Sequence, residues 1–185
     1  MHNNFIKGFW NQIPFWRRLV FLLVISFYGI FHILDFAFPF KPQIEYSQVI
    51  LAKDGSIMHA YLNQDDKWRI KTNLEEITPE LKQTIIFKED RFFRYHFGVN
   101  PVAIAKALVR NIFRGEVVSG ASTISMQVAR MLEPKKRTYW HKIKEIFRAM
   151  QLERRYSKNE ILQMYLNLVP YGGNIEGIKS AALLF

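Results

Sequence analysis

Two acids, two arginines, a histidine and four aromatic rings are crowded into the ten residues Glu89-Asp90-Arg91-Phe92-Phe93-Arg94-Tyr95-His96-Phe97-Gly98. A carboxylate surrounded by rings loses hydration, which favours its neutral form and suits it to act as a general base or acid. A helix end with ordinary Glu–Arg pairing and a glycine cap would account for the same residues. Taken alone, the stretch favours this structural explanation, because ion pairs outnumber active sites. The motifs that follow it along the chain decide between the two.

Composition limits the class of protein. The chain has 185 residues, room for one domain and an accessory segment. It carries 26 Lys and Arg against 16 Asp and Glu, a net charge of +10, which indicates an anionic partner. It has no cysteine, which excludes disulfides and thiolate metal sites.

An apolar segment near the N-terminus predicts a membrane anchor at 19–40. Its length approaches the ~20 residues that cross a bilayer. Arg17 and Arg18 precede it and Asp35 is the first charge after its start, so residues 1–18 are predicted to be cytoplasmic and the rest of the chain to lie outside. No small-x-small cleavage site follows, which favours an uncleaved anchor over a signal peptide.

Residues 41–74 are predicted to form a small β platform. Two strands, 48–53 and 56–61, flank Asp54-Gly55, a strong hairpin signal. Residues 68–72 are a candidate third strand.

Helix signals dominate residues 75–185. Thr78-Pro79 and Asn100-Pro101 each read as a cap followed by the first helical position. Ser157 and Glu160 have capping-box spacing. The predicted helices run from Thr78 toward Phe87, along the apolar face from Val102 to Ile112, at 123–132, at 139–155, at 158–168 and from about Ile175, with a loop at 115–120.

Three further patches carry polar chemistry. Gly120 to Gln127, with Arg130 after it, places small residues and hydroxyls at a helix start, where an anionic oxygen binds well. Lys142 and Glu145 share one helical face, and 158–177 ends in a tyrosine- and glycine-rich turn. Each patch alone has a structural explanation: a capped helix, a solvated charged helix and a tight turn.

Together, in order, these patches resemble the four motifs of the family 51 peptidoglycan glycosyltransferases, the transglycosylase domains of class A penicillin-binding proteins. The amino-acid sequence from Ser122 to Arg130 is most similar to that of the penicillin-binding protein 1C branch. The resemblance covers about 75–185. The matched positions are Glu89, Asp90, Phe93, His96 and Gly98; Gly120, Ser122, Thr123 and Gln127; Lys142 and Glu145; and Lys158 to Asn167 with Gly172.

The resemblance implies a mainly α, lysozyme-like glycosyltransferase domain behind a transmembrane helix and a small β-hairpin platform. It implies inverting polymerisation of lipid II onto a lipid-linked glycan chain, with release of undecaprenyl pyrophosphate, at the bacterial inner membrane. Glu89 would be the base and Glu145 the second catalytic carboxylate, which could also hold a divalent cation, Mg²⁺ or Mn²⁺. The residues implied to bind substrate are Asp90, His96, Ser122, Thr123, Gln127, Arg130 and Lys142.

Partners follow from the same resemblance. They are lipid II, the lipid-linked glycan chain, membrane lipids and cell-wall synthesis proteins. The basic stretch 88–160, with 16 Lys and Arg against 7 Asp and Glu, suits the anionic substrate. Lys135, Lys136 and Arg137 are predicted to form a solvated loop near lipid head groups.

Three departures from the family pattern matter. His141 stands where the family has Arg, and Met126 stands where it commonly has Gln. The chain also ends at Phe185, before the family's fifth motif and any transpeptidase domain, which predicts an incomplete domain. A truncated, non-catalytic membrane-anchored binder of lipid II, or a cell-wall scaffold, is therefore the alternative.

Two other classes of protein share some of these features. A nucleic-acid binder would fit the basic charge, but the predicted external location and the lack of a nucleic-acid motif argue against it, and no nucleic-acid partner is expected. A lysozyme-like hydrolase, in which Glu89 activates water, stays open on chemical grounds.

Overall fold

The computed structural model describes residues 14–114, 122–136 and 138–185. They fall into two compact units, one ending at Lys41 and the other running from Pro42 to Phe185. The predicted loop at 115–120, motif residue Gly120, Arg137 and most of the predicted cytoplasmic segment lie outside the described residues.

The N-terminal unit contains one helix, α1 (Phe15–Ala37). An 18-residue stretch of it has a mean hydropathy of 2.2, and within the described chain this helix alone is long and apolar enough to cross a membrane. At 1.5 Å per residue it is about 34 Å long, against the roughly 30 Å of a bilayer's hydrocarbon core. It ends before the predicted limit of 40 because Pro39 disfavours a helical conformation for Phe38.

The second unit, here called the main unit, is mostly helical. Its elements are β1 (Val49–Leu51), β2 (Ile57–Ala60), a 3₁₀ turn (Leu74–Glu76), α2 (Pro79–Glu89), α3 (Pro101–Arg114), α4 (Ile124–Leu132), α5 (Tyr139–Arg155), α6 (Lys158–Leu168), β3 (Pro170–Gly172), β4 (Ile175–Glu176) and α7 (Ile178–Leu184). The predicted fold class, mainly α with a β hairpin after an apolar helix, is confirmed.

The predicted hairpin forms between β1 and β2, which pair antiparallel. At its turn the Asp54 carboxylate accepts hydrogen bonds from the Ser56 backbone N–H at 3.0 Å and from its hydroxyl at 2.6 Å. Gly55 takes a φ of +84°, which glycine adopts without steric cost.

Two predictions are wrong for one reason: the third strand of the hairpin and the start of the last helix. The 68–72 stretch does not extend the hairpin: Trp68 pairs with Ile175, and its backbone bonds to Asn174 and Glu176 at 2.8 and 2.9 Å. Because Ile175–Glu176 is held as strand β4 against β3 and Trp68, the last helix begins at Ile178 and not near Ile175. Both errors come from pairing between distant segments.

Side-chain caps begin the other helices where the sequence predicts. The oxygens of Thr78, Asn100, Thr123, Thr138 and Ser157 each accept a backbone N–H from the first turn of the helix that follows. In α6 the box is complete, because the Glu160 carboxylate accepts from the Ser157 backbone N–H.

The core lies where α4 packs against α5 and α6. Its fully buried side chains include Ile124, Val128, Leu152, Ile161, Leu162 and Leu166. Phe93, from the loop after α2, is also fully buried, so the core also anchors that loop.

Segments far apart in sequence join the platform to the last helices. The Asn167 side chain accepts the Thr72 backbone N–H at 2.8 Å and donates to the Thr72 carbonyl at 2.9 Å. Ser180 accepts the Ile70 backbone N–H, and buried Arg69 bonds Glu176. The platform is therefore part of the main unit.

Candidate active site

Glu89, the proposed base, is the last residue of α2. Its Oε2 accepts a hydrogen bond from Gln127 Nε2 of α4 at 3.0 Å. The expectation that aromatic rings desolvate Glu89 is wrong: Glu89 is exposed, and of the four rings only Phe93 is buried. The carboxylate is oriented by Gln127 and open to a ligand.

Asp90, the next residue, is buried. Its Oδ2 accepts His96 Nε2 at 2.8 Å and the Ile124 backbone N–H at 3.1 Å. Only 4% of the Asp90 side chain and 7% of the His96 side chain are exposed. The pair therefore ties the loop after α2 to the first residue of α4 and is directed at protein groups.

Gly98 and Thr123 make a second tie between the same loop and α4. The buried Thr123 hydroxyl donates to the Gly98 carbonyl at 2.6 Å and accepts the Met126 backbone N–H. Gly98 has a φ of +79°, and a Cβ added there would lie 2.9 Å from the carbonyl carbon of Ala149. This position needs glycine because the loop touches the backbone of α5.

Lys142 connects the second and third motifs. Its Nζ donates to Ser122 Oγ at 2.8 Å and to Glu145 Oε2 at 3.0 Å. The Lys142 side chain is 42% exposed, so this cation is fixed in position and still reachable. The structure thus brings together Ser122, Lys142 and Glu145, which the resemblance assigns to one site.

Tyr165 lies close enough to Glu89 and Arg130 for their charges to act on its hydroxyl. Burial raises the pKa of the Tyr165 hydroxyl well above its usual range, the charge of Glu89 raises it further, and Arg130 partly offsets this. Tyr165 therefore stays protonated and able to donate. Within the described part of the chain Arg130 has no ion-pair partner, so its charge is available to a ligand.

A buried ion pair lies behind the loop after α2. Lys158 Nζ bonds Glu153 Oε1 at 2.7 Å and the His96 carbonyl at 2.6 Å, and Ser125 donates to the same Glu153 oxygen. Lys158 also sits 4.6 Å from the centroid of the Phe93 ring. Sequence reasoning missed this cluster, since a lysine and a glutamate at helix ends look solvated.

His141, which stands where the family has Arg, directs its Nδ1 at the residues that precede its helix. That nitrogen lies 2.6 Å from the Lys136 carbonyl and 2.9 Å from the Thr138 hydroxyl. A carbonyl only accepts, so Nδ1 carries the proton. The imidazole is held by the start of its own helix.

A divalent cation at Glu145 does not fit the residues that the structure describes. They contain no group of three or more His, Asp or Glu side chains able to hold a metal. Glu145 is bonded to Lys142, a cation that would repel another. The chemistry proposed below uses protein groups alone.

A comparison with known proteins agrees with the family that the motifs predict. The transglycosylase family model matches residues 54–185. The chain belongs to the transglycosylase family. This confirms the family predicted from the four motifs, whereas the roles of individual residues stay predictions.

Relatives in this transglycosylase family include penicillin-binding protein 1C of Escherichia coli, 40% identical over 140 residues that make up 76% of this chain and 18% of that protein. Penicillin-binding protein 1A of the same organism is 35% identical, over 86% of this chain and 19% of that protein. The biosynthetic peptidoglycan transglycosylase of Nitrosospira multiformis is 33% identical, over 91% of this chain and 74% of that protein. The chain thus spans about a fifth of the length of the two penicillin-binding proteins.

Proposed function

We propose that this chain is a peptidoglycan glycosyltransferase that polymerises lipid II. The growing lipid-linked glycan would be the donor and the 4-hydroxyl of the GlcNAc unit of lipid II the acceptor. The observation that carries the proposal is an exposed carboxylate, Glu89, fixed by Gln127 in a transglycosylase-family chain that also holds Lys142 and Arg130 ready for an anion.

Glu89 would act as the general base. A sugar hydroxyl is a weak nucleophile at neutral pH, so its proton must move to a base as its oxygen attacks. Gln127 occupies one carboxylate oxygen of Glu89 and leaves the other to accept that proton. The acceptor oxygen bonds to the anomeric carbon while the bond to the pyrophosphate oxygen breaks, and the configuration inverts.

Fixed cations would stabilise the leaving pyrophosphate. Negative charge grows on it during the reaction, and positioned donors lower the barrier most where charge develops. Lys142, held between Ser122 and Glu145, and Arg130 supply that charge. Glu145 would therefore act by keeping Lys142 in place.

Asp90, His96 and Thr123 would position the site without touching substrate. Their polar atoms bond to each other, to Ile124 or to Gly98 within the protein interior. This differs from the substrate-binding role that the resemblance implies for them. Through these bonds the loop that follows Glu89 is held against the start of α4, the helix that carries Gln127.

The substrate's lipid tail calls for a membrane location. We propose that α1 spans the inner membrane with its N-terminus in the cytoplasm, because Arg17 and Arg18 stand at that end. In the main unit, α3 exposes Val102, Val109 and Phe113 along one face, which suits contact with acyl chains.

The test is glycan synthesis from purified lipid II by the full chain in detergent. We expect long glycan strands from the unaltered protein and a loss of about 10²–10⁴-fold with Glu89→Gln, the range that a general base contributes. Glu80→Gln, an exposed acid in the first turn of the same helix, is the matched control and should change nothing.

Two results would reject the proposal. Glu89→Gln with undiminished synthesis would remove Glu89 as the base. Binding of lipid II without any polymer, from a folded chain, would identify a non-catalytic binder instead.

A further inference from the structure

The first turns of α5 carry an apolar face that the described structure leaves uncovered. Tyr139 is 93% exposed, Trp140 62% and Ile143 56%. Residues three and four apart are neighbours on a helix surface, so these three side chains form one patch. Farther along α5, Ala149 and Leu152 are buried in the core, so the helix is firmly packed and the patch is not a frayed end.

Two lysines without ion-pair partners in the described chain accompany this patch. Lys144 Nζ lies 5.6 Å from the centroid of the Trp140 ring, and Lys136 precedes the helix. Both are exposed, and neither has an ion-pair partner in the part of the chain that the structure describes.

The nearby acids are neutralised by other residues. Glu133 pairs with Lys135 and Arg148, and Glu145 pairs with Lys142. The patch together with its two free lysines, here called the α5 surface, is made up of Lys136, Tyr139, Trp140, Ile143 and Lys144. It therefore combines exposed rings with uncompensated positive charge.

We propose that the α5 surface docks onto an anionic lipid surface. Trp and Tyr settle at the boundary between head groups and acyl chains, where their rings are buried and their polar atoms stay hydrated. Lysines beside them gain attraction from anionic lipids, about fivefold in binding for each. A protein partner would need one groove that is both apolar and acidic, whereas an anionic membrane offers acyl chains and negative head groups over its whole surface.

The consequence concerns Lys142, which is on the same two turns of α5. Docking would hold this lysine near head-group depth, where the pyrophosphate of a lipid-linked sugar lies. That consequence rests on the proposed function, whereas the docking itself rests only on the exposed rings and the free lysines.

The chain has no cysteine, so one introduced thiol can report on this surface. Ile143→Cys would be labelled with an environment-sensitive fluorophore in the full chain and reconstituted into vesicles of phosphatidylglycerol and phosphatidylcholine. We expect a blue shift of emission and quenching by nitroxide-labelled lipid. Adding Lys136→Ser and Lys144→Ser, or using phosphatidylcholine alone, should weaken both signals.

The matched control is Arg154→Cys, an exposed position on the same helix about 16 Å along its axis. Its label should keep a water-like emission. Equal emission at positions 143 and 154 in anionic vesicles would overturn the proposal. So would a shift at position 143 that grows with protein concentration in lipid-poor detergent, since a second copy would then cover the surface.

Glycan synthesis separates this inference from the proposed function. A chain that makes no glycan while its position-143 label enters anionic lipid would keep the docking surface and reject the enzyme. An active chain whose label stays in water would do the reverse.

Discussion

At the scale of single residues, Glu89 and Asp90 are neighbours with opposite environments. Glu89 is exposed and accepts one side-chain hydrogen bond, whereas Asp90 is buried and accepts from His96 and a backbone N–H. The helix ends between them, which turns one carboxylate toward solvent and the other inward. Two identical chemical groups thereby become one candidate for chemistry and one for structure.

Gly98→Ala should destabilise the chain by about 1–3 kcal/mol, the cost of a strained backbone position. Two effects combine there: the φ of +79° and the contact of a new Cβ with Ala149 at 2.9 Å. Gly55→Ala has a similar φ and open space around it, so it isolates the first effect. Urea unfolding monitored by circular dichroism would measure both, and equal losses would contradict the steric contribution.

At the scale of elements, the Lys158–Glu153 pair joins α5 and α6 to the loop after α2. Glu153 is only 4% exposed, and Lys158 also supports the His96 carbonyl. Removing one partner of a buried pair leaves the other charge uncompensated. We therefore expect Lys158→Met to cost about 3–5 kcal/mol of unfolding free energy in urea.

The double variant Lys158→Met with Glu153→Leu provides the control. An apolar pair of similar volume often replaces a buried ion pair with little loss, so the double variant should be more stable than Lys158→Met alone. Some loss should remain, because the buried Ser125 hydroxyl and the His96 carbonyl lose their partners. Lys82→Met, at a lysine that donates to the Leu74 carbonyl and has no ion-pair partner in the described chain, should cost far less. A loss below 1 kcal/mol for Lys158→Met would show that the pair contributes little.

The capping box of α6 predicts a dependence on pH. Hydrogen bonds from the Ser157 backbone and hydroxyl lower the pKa of Glu160 below its usual 4.5. Its stabilisation is therefore complete above pH 4.5 and is lost as the pH falls through the lowered value in the folded chain.

Glu160→Gln keeps the box but removes this titration. Thermal unfolding from pH 6 to pH 3 should show the unaltered chain losing stability faster than the variant at the acidic end. Parallel curves would mean that Glu160 does not contribute.

Much of this element-level structure could be predicted from local chemistry. Thr78, Asn100, Thr123 and Ser157 begin helices because their side chains satisfy backbone N–H groups a few residues away, and that relation is visible in sequence. The resemblance likewise assigns Ser122, Lys142 and Glu145 to one site, and the structure places these three side chains in contact.

What could not be predicted depends on distant contacts. The strand pairing of Trp68 with Ile175 and the burial of Asp90, His96 and Thr123 require the tertiary fold. The exposure of Glu89 belongs with these, because sequence shows which rings are near this carboxylate but not where they point.

At the scale of the whole molecule, the main unit closes on itself at Asn167. That fully buried side chain satisfies both backbone groups of Thr72, and Gly177 approaches its carbonyl so closely that a Cβ there would lie 2.8 Å away. The platform and the last helices are thus one cooperative structure.

Asn167→Ala should leave two buried backbone groups without partners, at about 1–3 kcal/mol for each. Urea unfolding would measure the loss, and faster hydrogen exchange at the Thr72 amide would locate it. Asn159→Ala, an exposed asparagine at the other end of the same helix, should cost less than half as much. Unchanged protection of Thr72 would contradict this account.

The same contacts join residues that are synthesised far apart in time. Thr72 is made 95 residues before Asn167, and Ile70 precedes Ser180 by 110. At about 5–20 residues per second, the platform waits roughly 5–20 s for its partners to emerge from the ribosome. During that interval the backbone groups of Trp68, Ile70 and Thr72 lack their partners, so the platform cannot be completed before residues 167–180 have been synthesised.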